Sequence, residues 1–311
     1  MRKSKILHNL AQWLRFGDLP ELPQIGRSKS DKMHTMKRIL PLLLLSALAL
    51  TAADKKIVLI AGTPSHKPGE HEFNNGIELL DKCLKQNKGV TTVVVKGGWP
   101  TDESVFTGAD EIVFYMDGGQ KHPIIQADHL QTIGNLVKKG VGIACLHYAV
   151  EVPNEKGGPE LLEWIGGYYE NLVSKNSIND VPVTQASPQH PTSRGWKSFQ
   201  TKDEWYFKIH FREGDTRITP LLTAELPPDA PHREVVSWLI ERADGGRGFG
   251  FDGGHFNVNW GNPDFRRMVV NSILWTAKAN VPSKGAKVDI VPEDLTRSLD
   301  PKSMVKAGSE E

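Results

Sequence analysis

The chain has little cysteine, with Cys83 and Cys145 as the two cysteines among 311 residues. Two cysteines exclude the dense disulfide framework that holds many small secreted domains together. Cys83 shares a helix-like face with Leu80 and Leu84, and Cys145 lies inside an apolar run, so we expect both to be buried as small hydrophobic residues. The fold must therefore rely on an ordinary hydrophobic core, for which a hydrophobic content of 39% is ample.

An excess of charge of one sign is also missing. The 38 Lys and Arg residues nearly balance the 37 Asp and Glu residues, the formal net charge is +1, and no large basic block occurs in the body of the chain. Nucleic-acid-binding proteins need a basic patch or stripe that pairs with phosphates. The sequence therefore predicts no nucleic-acid partner.

A third absence is an apolar run long enough to span a bilayer comfortably. Residues 36–53 read MKRILPLLLLSALALTAA, a basic start followed by about a dozen apolar residues and then by small residues. This order is typical of a secretory signal peptide cleaved near Ala53, and a buried core helix is the alternative. We predict an upstream extension at 1–35, a signal peptide at 36–53, and a periplasmic or secreted protein with no stable membrane span after cleavage.

What the chain does contain is an alternation of strand-like and helix-like segments. The intervening segments 73–86 and 124–140 carry apolar residues at helical spacing, and near-continuous apolar runs between them predict strands covered on both faces. The runs are 57–62, 90–95, 111–116 and 141–146. This order predicts an α/β fold with a doubly wound, mostly parallel sheet.

The middle of the chain, from about Pro153 to Pro228, is richer in Pro, Gly and polar residues and predicts a β-rich insertion. A hairpin is expected around the Asp244-Gly245-Gly246 turn. The last predicted helix begins with Asn262 as N-cap and Pro263 at its first position. The predicted domain covers 54–282, and residues 283–311 are predicted to be a polar C-terminal tail.

Four histidines follow predicted strands at their carboxyl ends: His66, His122, His147 and His255. In an open parallel sheet the ligand crevice lies outside these ends, so the four side chains would meet at one edge if the strands pair. Loop histidines are more often simply solvated, and a histidine that ends an apolar strand can be a core residue bonded to a carbonyl. Their shared position is what favours a functional site.

Other polar and aromatic residues near the strand ends extend the candidate site. Asp117, Gly118 and Gly119 either form a tight turn or let backbone N–H groups approach a ligand. Carboxylates and amides beside aromatic rings are typical of sugar sites, and burial in the core is the alternative for the aromatic residues. The remaining candidates are His71, Glu72, Glu151, Glu204, Trp205, Tyr206, Asn259 and Trp260.

Together, five motifs resemble the ThuA-like (trehalose-utilisation) domain over about Lys55 to Val281. They are G-x-x-S-H-x-x-G-E-H-E, F-Y-x-D-G-G, G-V-G-x-x-C-L-H-Y-A-V-E, D-E-W-Y and G-G-H-F-x-x-N-W-G-N. The resemblance implies the class I glutamine amidotransferase-like superfamily and a flavodoxin-like sheet. Where amidotransferases carry a cysteine nucleophile after a G-x-C-x-G strand, this chain reads A-C-L-H-Y-A, so His147 occupies the nucleophile's place. Without that thiolate, amidotransferase chemistry is not expected.

We therefore predict an exported carbohydrate-active enzyme that acts on a disaccharide or keto-sugar by isomerisation, elimination or hydrolysis. Its predicted catalytic residues are His66, Asp117, His147, Glu204 and His255. Acid–base chemistry is one option, and a divalent metal such as Zn²⁺ held by His66, His147 and His255 is the other.

The rival is a non-catalytic sugar-binding module of the same fold, which has less need for several titratable imidazoles. A glutamine amidotransferase is disfavoured. The predicted substrate-binding residues are His71, Glu72, Gly118, Gly119, His122, Glu151, Trp205, Tyr206, Asn259 and Trp260.

Overall fold

A computed structural model describes residues 53–302. The predicted extension at 1–35 and all but the last residue of the predicted signal peptide at 36–53 lie outside the described residues. None of the helices within 53–302 is long and apolar enough to cross a membrane.

A nine-stranded mixed sheet lies at the centre of the domain. The strands within the described residues are β1 (Lys55–Ala61), β2 (Val90–Val95), β3 (Glu111–Tyr115), β4 (Gly142–Leu146), β5 (Gly167–Tyr168), β6 (Lys175–Gln185), β7 (Phe199–Phe207), β8 (His210–Phe211), β9 (Ile218–Leu226), β10 (His232–Glu241) and β11 (Arg247–Phe251). The order in the large sheet is β2-β1-β3-β4-β11-β10-β9-β6-β7, and β5 pairs with β8.

The sheet has a parallel part and an antiparallel part. Strands β2, β1, β3, β4 and β11 run parallel to one another. From β11 to the β7 edge every neighbouring pair is antiparallel. The predicted β-rich middle of the chain thus extends the sheet, and the predicted hairpin forms β10 and β11.

Helices cover both faces of the parallel part, as expected for strands that are apolar throughout. The helices are α1 (Phe73–Leu84), α2 (His129–Val137), α3 (Gly158–Trp164) and α4 (Pro263–Thr276). In β1, Ile57 and Leu59 belong to the core cluster that contains α1 and α4, whereas Val58 and Ile60 belong to the cluster that contains α2 and α3. Asn262 caps α4 as predicted, with its side-chain oxygen 2.9 Å from the Asp264 nitrogen.

Residues 283–302, predicted to be a polar tail, lie against the domain instead. Ala286 and Val288 are buried in the same core cluster as α1 and α4. Asp300 accepts hydrogen bonds from the Phe73 N–H at 2.9 Å and the Asn74 N–H at 3.4 Å, so it caps the start of α1. The sequence pattern misses this segment because its anchors are polar groups whose partners lie far away in the chain.

The topology brings the predicted histidine-bearing loops to one edge. Strands β1, β3, β4 and β11 are consecutive neighbours in the sheet, and they precede His66, His122, His147 and His255 respectively. The strand order also reverses at β1, whose neighbours are β2 and β3, and such switch points are where open α/β sheets place ligands.

Candidate functional site

Three imidazoles and one carboxylate converge beyond the carboxyl ends of these strands. His71 Nε2 lies 2.9 Å from His147 Nε2 and 3.0 Å from His255 Nδ1, and the latter two atoms are 3.3 Å apart. Glu204 Oε2 lies 3.5 Å from His147 Nε2 and 3.4 Å from His255 Nδ1. We call His71, His147, His255 and Glu204 the histidine–glutamate cluster.

Unusual backbone geometry aims two of these imidazoles at the centre. His147 directly follows β4 with φ at 53°, and His71 lies just before α1 with φ at 46°. Residues other than glycine rarely adopt this left-handed region, which costs about 1–3 kcal/mol. The turn after β4 and the loop before α1 are therefore held by surrounding contacts, a pattern common at functional sites.

A buried carboxylate joins Glu204 to the loop that carries His255. Asp203, in β7, accepts hydrogen bonds from the Gly254 N–H at 2.7 Å and from the His255 N–H at 3.0 Å. Burial raises the pKa of Asp203 to about 6, although these backbone N–H donors favour its charged form. This contact fixes the antiparallel β7 against the end of the parallel β11 and brings Glu204 to the cluster.

Two imidazoles of the cluster have a hydrogen-bond acceptor for their outward nitrogen, and the third faces a carboxylate beyond hydrogen-bond distance. His71 Nδ1 lies 2.9 Å from Asp117 Oδ1, and His147 Nδ1 lies 2.7 Å from the Asp252 carbonyl oxygen. His255 Nε2 lies 3.7 Å from Glu70 Oε2. A proton on the outward nitrogen of His71 and of His147 leaves the inward nitrogen with a lone pair, as in metal sites where outer partners set the tautomer.

The local environment keeps two of the imidazoles neutral. Burial, together with the neighbouring His66 and His255, lowers the pKa of His71 to about 2. Burial and His71 hold the pKa of His147 well below its ordinary value. For His255 the effect of burial is outweighed by Glu204, so its pKa is raised.

The four inward atoms fit a divalent cation. They all lie within 4.8 Å of one another. In a tetrahedral zinc site with bonds of about 2.0–2.1 Å, neighbouring ligand atoms are about 3.3 Å apart. The closest contacts in the cluster, 2.9 to 3.5 Å, agree with that spacing. Neutral imidazoles and a carboxylate are also ligands that Zn²⁺ accepts.

The metal trio predicted from the sequence needs one correction, because His71 rather than His66 supplies the third inward nitrogen. His66 is exposed, and its ring packs against that of His71 with centroids 3.6 Å apart. A second group of candidate ligands, His66, His71 and Asp117, shares His71 with the cluster. Asp117 also accepts a hydrogen bond from Ser65 at 2.9 Å.

Several residues predicted to bind substrate lie in the core instead. Trp205 is fully buried and Trp260 is 1% exposed, and both belong to the core cluster shared with α1 and α4. Tyr206 is also buried, with its ring 5.2 Å from that of His147. Asn259 bonds Thr201 and the Lys202 carbonyl. Of the two roles considered for these aromatic residues, sugar binding and core packing, their burial supports core packing.

The predicted glycine pair serves close packing. A Cβ atom on Gly118 would lie 2.1 Å from the Tyr148 carbonyl oxygen and 2.7 Å from that of Glu151. The Gly119 N–H donates to the Glu151 carbonyl at 3.0 Å. The loop after β3 therefore packs backbone against backbone on the turn after β4.

Two more residues that were predicted to bind substrate, His122 and Glu72, make structural contacts instead. His122 is fully buried and bonds the Ala149 carbonyl at 3.1 Å and the Ile124 N–H at 3.1 Å. Glu72 is 1% exposed and accepts from the Gly69 N–H at 2.7 Å. Neither side chain belongs to the histidine–glutamate cluster.

Sequence reasoning did not select Glu70, Ser65, Asp203 or Asp252, which hold the cluster from outside. Glu70 and Ser65 belong to the same S-H-x-x-G-E-H-E motif as the chosen histidines, so the motif itself carried a signal. Tyr148 and Tyr169 were also not selected, and both are half-buried beside Glu151. Glu151 itself was predicted, because it lies shortly after the carboxyl end of β4.

The family described as Trehalose utilisation, ThuA, matches residues 57–276. Among solved structures, a ThuA-like protein from Parabacteroides merdae is 16% identical, with a TM-score of 0.53 and coverage of 78% of this chain and 99% of that one. A ThuA-like protein from Bacteroides uniformis is 15% identical, with a TM-score of 0.54 and coverage of 72% and 92%. At these identities the two structures establish similarity of fold. No curated protein sequence matches the chain.

Proposed function

This chain belongs to the ThuA (trehalose-utilisation) family, and from that membership we propose that it is a carbohydrate-active enzyme whose histidine–glutamate cluster holds a divalent cation such as Zn²⁺. The substrate we propose is a disaccharide or keto-sugar, and the reaction an isomerisation, elimination or hydrolysis. The finer assignment to a flavodoxin-like, amidotransferase-related sheet belongs to this proposal and is supported by the strand order β2-β1-β3-β4-β11.

One observation carries the proposal: three inward imidazole nitrogens lie within 3.3 Å of one another, and the outward nitrogens of His71 and His147 are hydrogen-bonded to acceptors. Hydrogen bonds alone do not account for the 2.9 Å approach of His71 Nε2 to His147 Nε2, because two neutral imidazoles with protons on their outward nitrogens present only lone pairs to each other. A cation between these nitrogens would be coordinated by all three lone pairs.

The chain's own groups have distinct proposed roles. When bound, a divalent cation supplies Lewis-acid polarisation of a substrate oxygen. Asp117 holds His71 in the ligating tautomer, and the Asp252 carbonyl does the same for His147. Glu204 lies close enough to join the ligand set, and its carboxylate can accept a proton from a sugar hydroxyl.

The alternatives make different demands on the chain. A glutamine amidotransferase needs a reactive thiolate, but Cys145 is fully buried in β4 and burial raises the pKa of its thiol. A non-catalytic sugar-binding module would bind a sugar without turnover.

We also propose export with cleavage near Ala53, which N-terminal sequencing of protein from the native host would test; an uncleaved cytosolic chain would contradict it.

The test of the proposed function is metal content and activity in matched variants. Protein purified without chelators should carry one divalent ion per chain by elemental analysis, and chelation should abolish turnover of disaccharides and their keto forms. His147→Asn should fold normally but lose at least about 100-fold in zinc affinity, because one ligand is removed. The surface variant His232→Asn should bind zinc like the unmodified protein.

Two results would contradict the proposal. The first is that the unmodified protein holds no stoichiometric divalent ion, or that His147→Asn holds the same ion as the unmodified protein does. The second is a His147→Asn protein that is destabilised and fully active, since that would make His147 a structural residue.

A further inference from the structure

A cavity of about 350 Å³ is lined by the loop after β3, the segment that follows the turn after β4, and the turn after β5, and no residue of the histidine–glutamate cluster lines it. We propose that this cavity binds the sugar ring of the substrate and selects sugars without an anionic group; the proposal rests on the proposed carbohydrate activity. Its volume is within the range of small-molecule sites. Its lining includes Gly119, Gln120, Glu151, Asn154, Glu170 and Asn171.

Three half-buried polar groups have no hydrogen-bond partner within residues 53–302: the carboxylate of Glu151, which lines the cavity, and the hydroxyls of Tyr148 and Tyr169, which flank Glu151. Two of them lie over the same glycine, because a Cβ atom on Gly119 would be 3.2 Å from Tyr148 Oη and 3.4 Å from Glu151 Oε1. Polar groups that are partly withdrawn from water favour a partner that can hydrogen-bond them. A carboxylate acceptor beside two hydroxyls suits the hydroxyls of a sugar.

The two tyrosines that flank Glu151 approach the proposed reaction centre. The Tyr148 ring is 6.0 Å from the His71 ring. On the other side, the Tyr169 ring is 5.0 Å from the Tyr206 ring, which in turn is 5.2 Å from that of His147. A sugar ring against Tyr148 or Tyr169 would therefore be next to the cluster, with an aromatic ring to cover its apolar face.

Charge decides which sugars fit. Glu151, Glu155 and Glu170 line the cavity, and no lysine or arginine of the described part of the chain lines it. Burial, and after it the charge of Glu204, raises the pKa of Glu151 to about 7. A divalent ion in the cluster would be offset by the nearby carboxylates of Glu204, Glu70 and Asp117. A phosphate or carboxylate group would thus lack a cationic partner.

The experiment compares matched pairs of sugars on the full-length chain. Dissociation constants for glucose against glucose 6-phosphate, and for trehalose against trehalose 6-phosphate, would be measured by NMR titration at fixed ionic strength. Each measurement would use both chelator-treated and zinc-loaded protein. The uncharged member of each pair should bind at least about tenfold more tightly, the equivalent of one charge-assisted contact.

Variants then assign the selectivity to the cavity. Glu151→Gln keeps the size of the side chain but removes its charge, which the carboxyl carries fully only above its pKa of about 7. At pH 8, trehalose binding should therefore weaken about tenfold and the preference over trehalose 6-phosphate should narrow. A merely structural role for Glu151 would not change that ratio. Tyr148→Phe should weaken both sugars together, and the exposed control Glu225→Gln should change neither constant.

The proposal is overturned if phosphorylated sugars bind as tightly as uncharged ones, if Glu151→Gln leaves the ratio unchanged, or if none of the four sugars binds. Its failure is distinguishable from failure of the metal site. Selective binding to protein that never takes up zinc would refute the metal and leave the cavity assigned. Stoichiometric zinc without this selectivity would support the metal site and refute the role assigned to the cavity.

Discussion

Asp117 reaches the histidine–glutamate cluster through a single side chain, His71, whose outward nitrogen it holds at 2.9 Å. His147 uses a backbone carbonyl for the same purpose, so mutation can remove the partner of His71 more easily than that of His147. Outer partners of this kind set the ring orientation and basicity of a ligating imidazole.

We expect Asp117→Asn to weaken zinc binding about 10- to 100-fold without unfolding the protein, because the amide keeps the shape of the side chain but holds His71 less selectively in its ligating tautomer. Competition with a chromophoric chelator would measure this. Asp128→Asn, at an exposed position before α2, is the control. Equal zinc affinity for Asp117→Asn and the unmodified protein would show that Asp117 does not position His71.

Away from the site, Glu111 is fully buried at the start of β3, and neither of its carboxyl oxygens has a hydrogen-bond partner within the described residues. Burial raises the pKa of its carboxyl well above the ordinary value. The folded state therefore retains a proton that the unfolded state releases above about pH 4.5. The free energy of unfolding should therefore fall as the pH rises above about 4.5, by up to about 1.4 kcal/mol per pH unit from this group.

Glu111→Gln removes this titration. The free energy of unfolding of the variant should gain on that of the unmodified protein with each step from pH 5 to pH 7, as measured by urea denaturation. The exposed Glu213→Gln should show no such trend. A constant difference between Glu111→Gln and the unmodified protein over this range would mean that Glu111 is already ionised when buried.

Among the secondary-structure elements, the site depends on how closely the loop after β3 approaches the turn after β4. Gly118 has carbonyl oxygens of both Tyr148 and Glu151 closer to its hypothetical Cβ than any real contact allows. Backbone atoms cannot move aside as a flexible side chain can. Gly134, in α2, has only ordinary contacts, the nearest atom being Trp164 Cζ2 at 3.6 Å.

The two glycines should respond to alanine with opposite signs. Gly118→Ala should lower stability by about 1–3 kcal/mol through overpacking and should also weaken zinc binding, since His147 lies on the displaced turn. Gly134→Ala should be neutral or stabilising by up to about 1 kcal/mol, because alanine favours a helix. Thermal melts and zinc titrations of both variants would test this, and an unaffected Gly118→Ala protein would contradict it.

For the molecule as a whole, the C-terminal segment fixes the loop that carries His66 and His71. The Lys302 ammonium lies 3.3 Å from Glu72 Oε1 and donates to the His71 carbonyl at 3.1 Å. The Asp300 N–H donates to Glu72 Oε2 at 2.6 Å. Both charged side chains of the Lys302–Glu72 pair are almost fully buried. The segment at 283–302 thereby supports the loop that carries His71.

Lys302→Met should destabilise the protein by about 3–5 kcal/mol, because it leaves the charge of Glu72 buried without its partner. The double variant Lys302→Met with Glu72→Gln should recover much of that loss, since the stranded charge is gone. Urea denaturation of the three proteins would measure the effect. Equal stability of Lys302→Met and the unmodified chain would show that the segment only rests on the domain.

The sequence alone determined the alternation of strands and helices, the family and the strand-end position of His147 and His255. These follow from local periodicity and motifs, which are written in neighbouring residues. The sequence could not determine that His71 turns inward in place of His66, since this depends on the His71 N–H bond to the His255 carbonyl. It could not show that Trp205 lies in the core. Only the tertiary structure decided these points, because each depends on contacts between residues far apart in the chain.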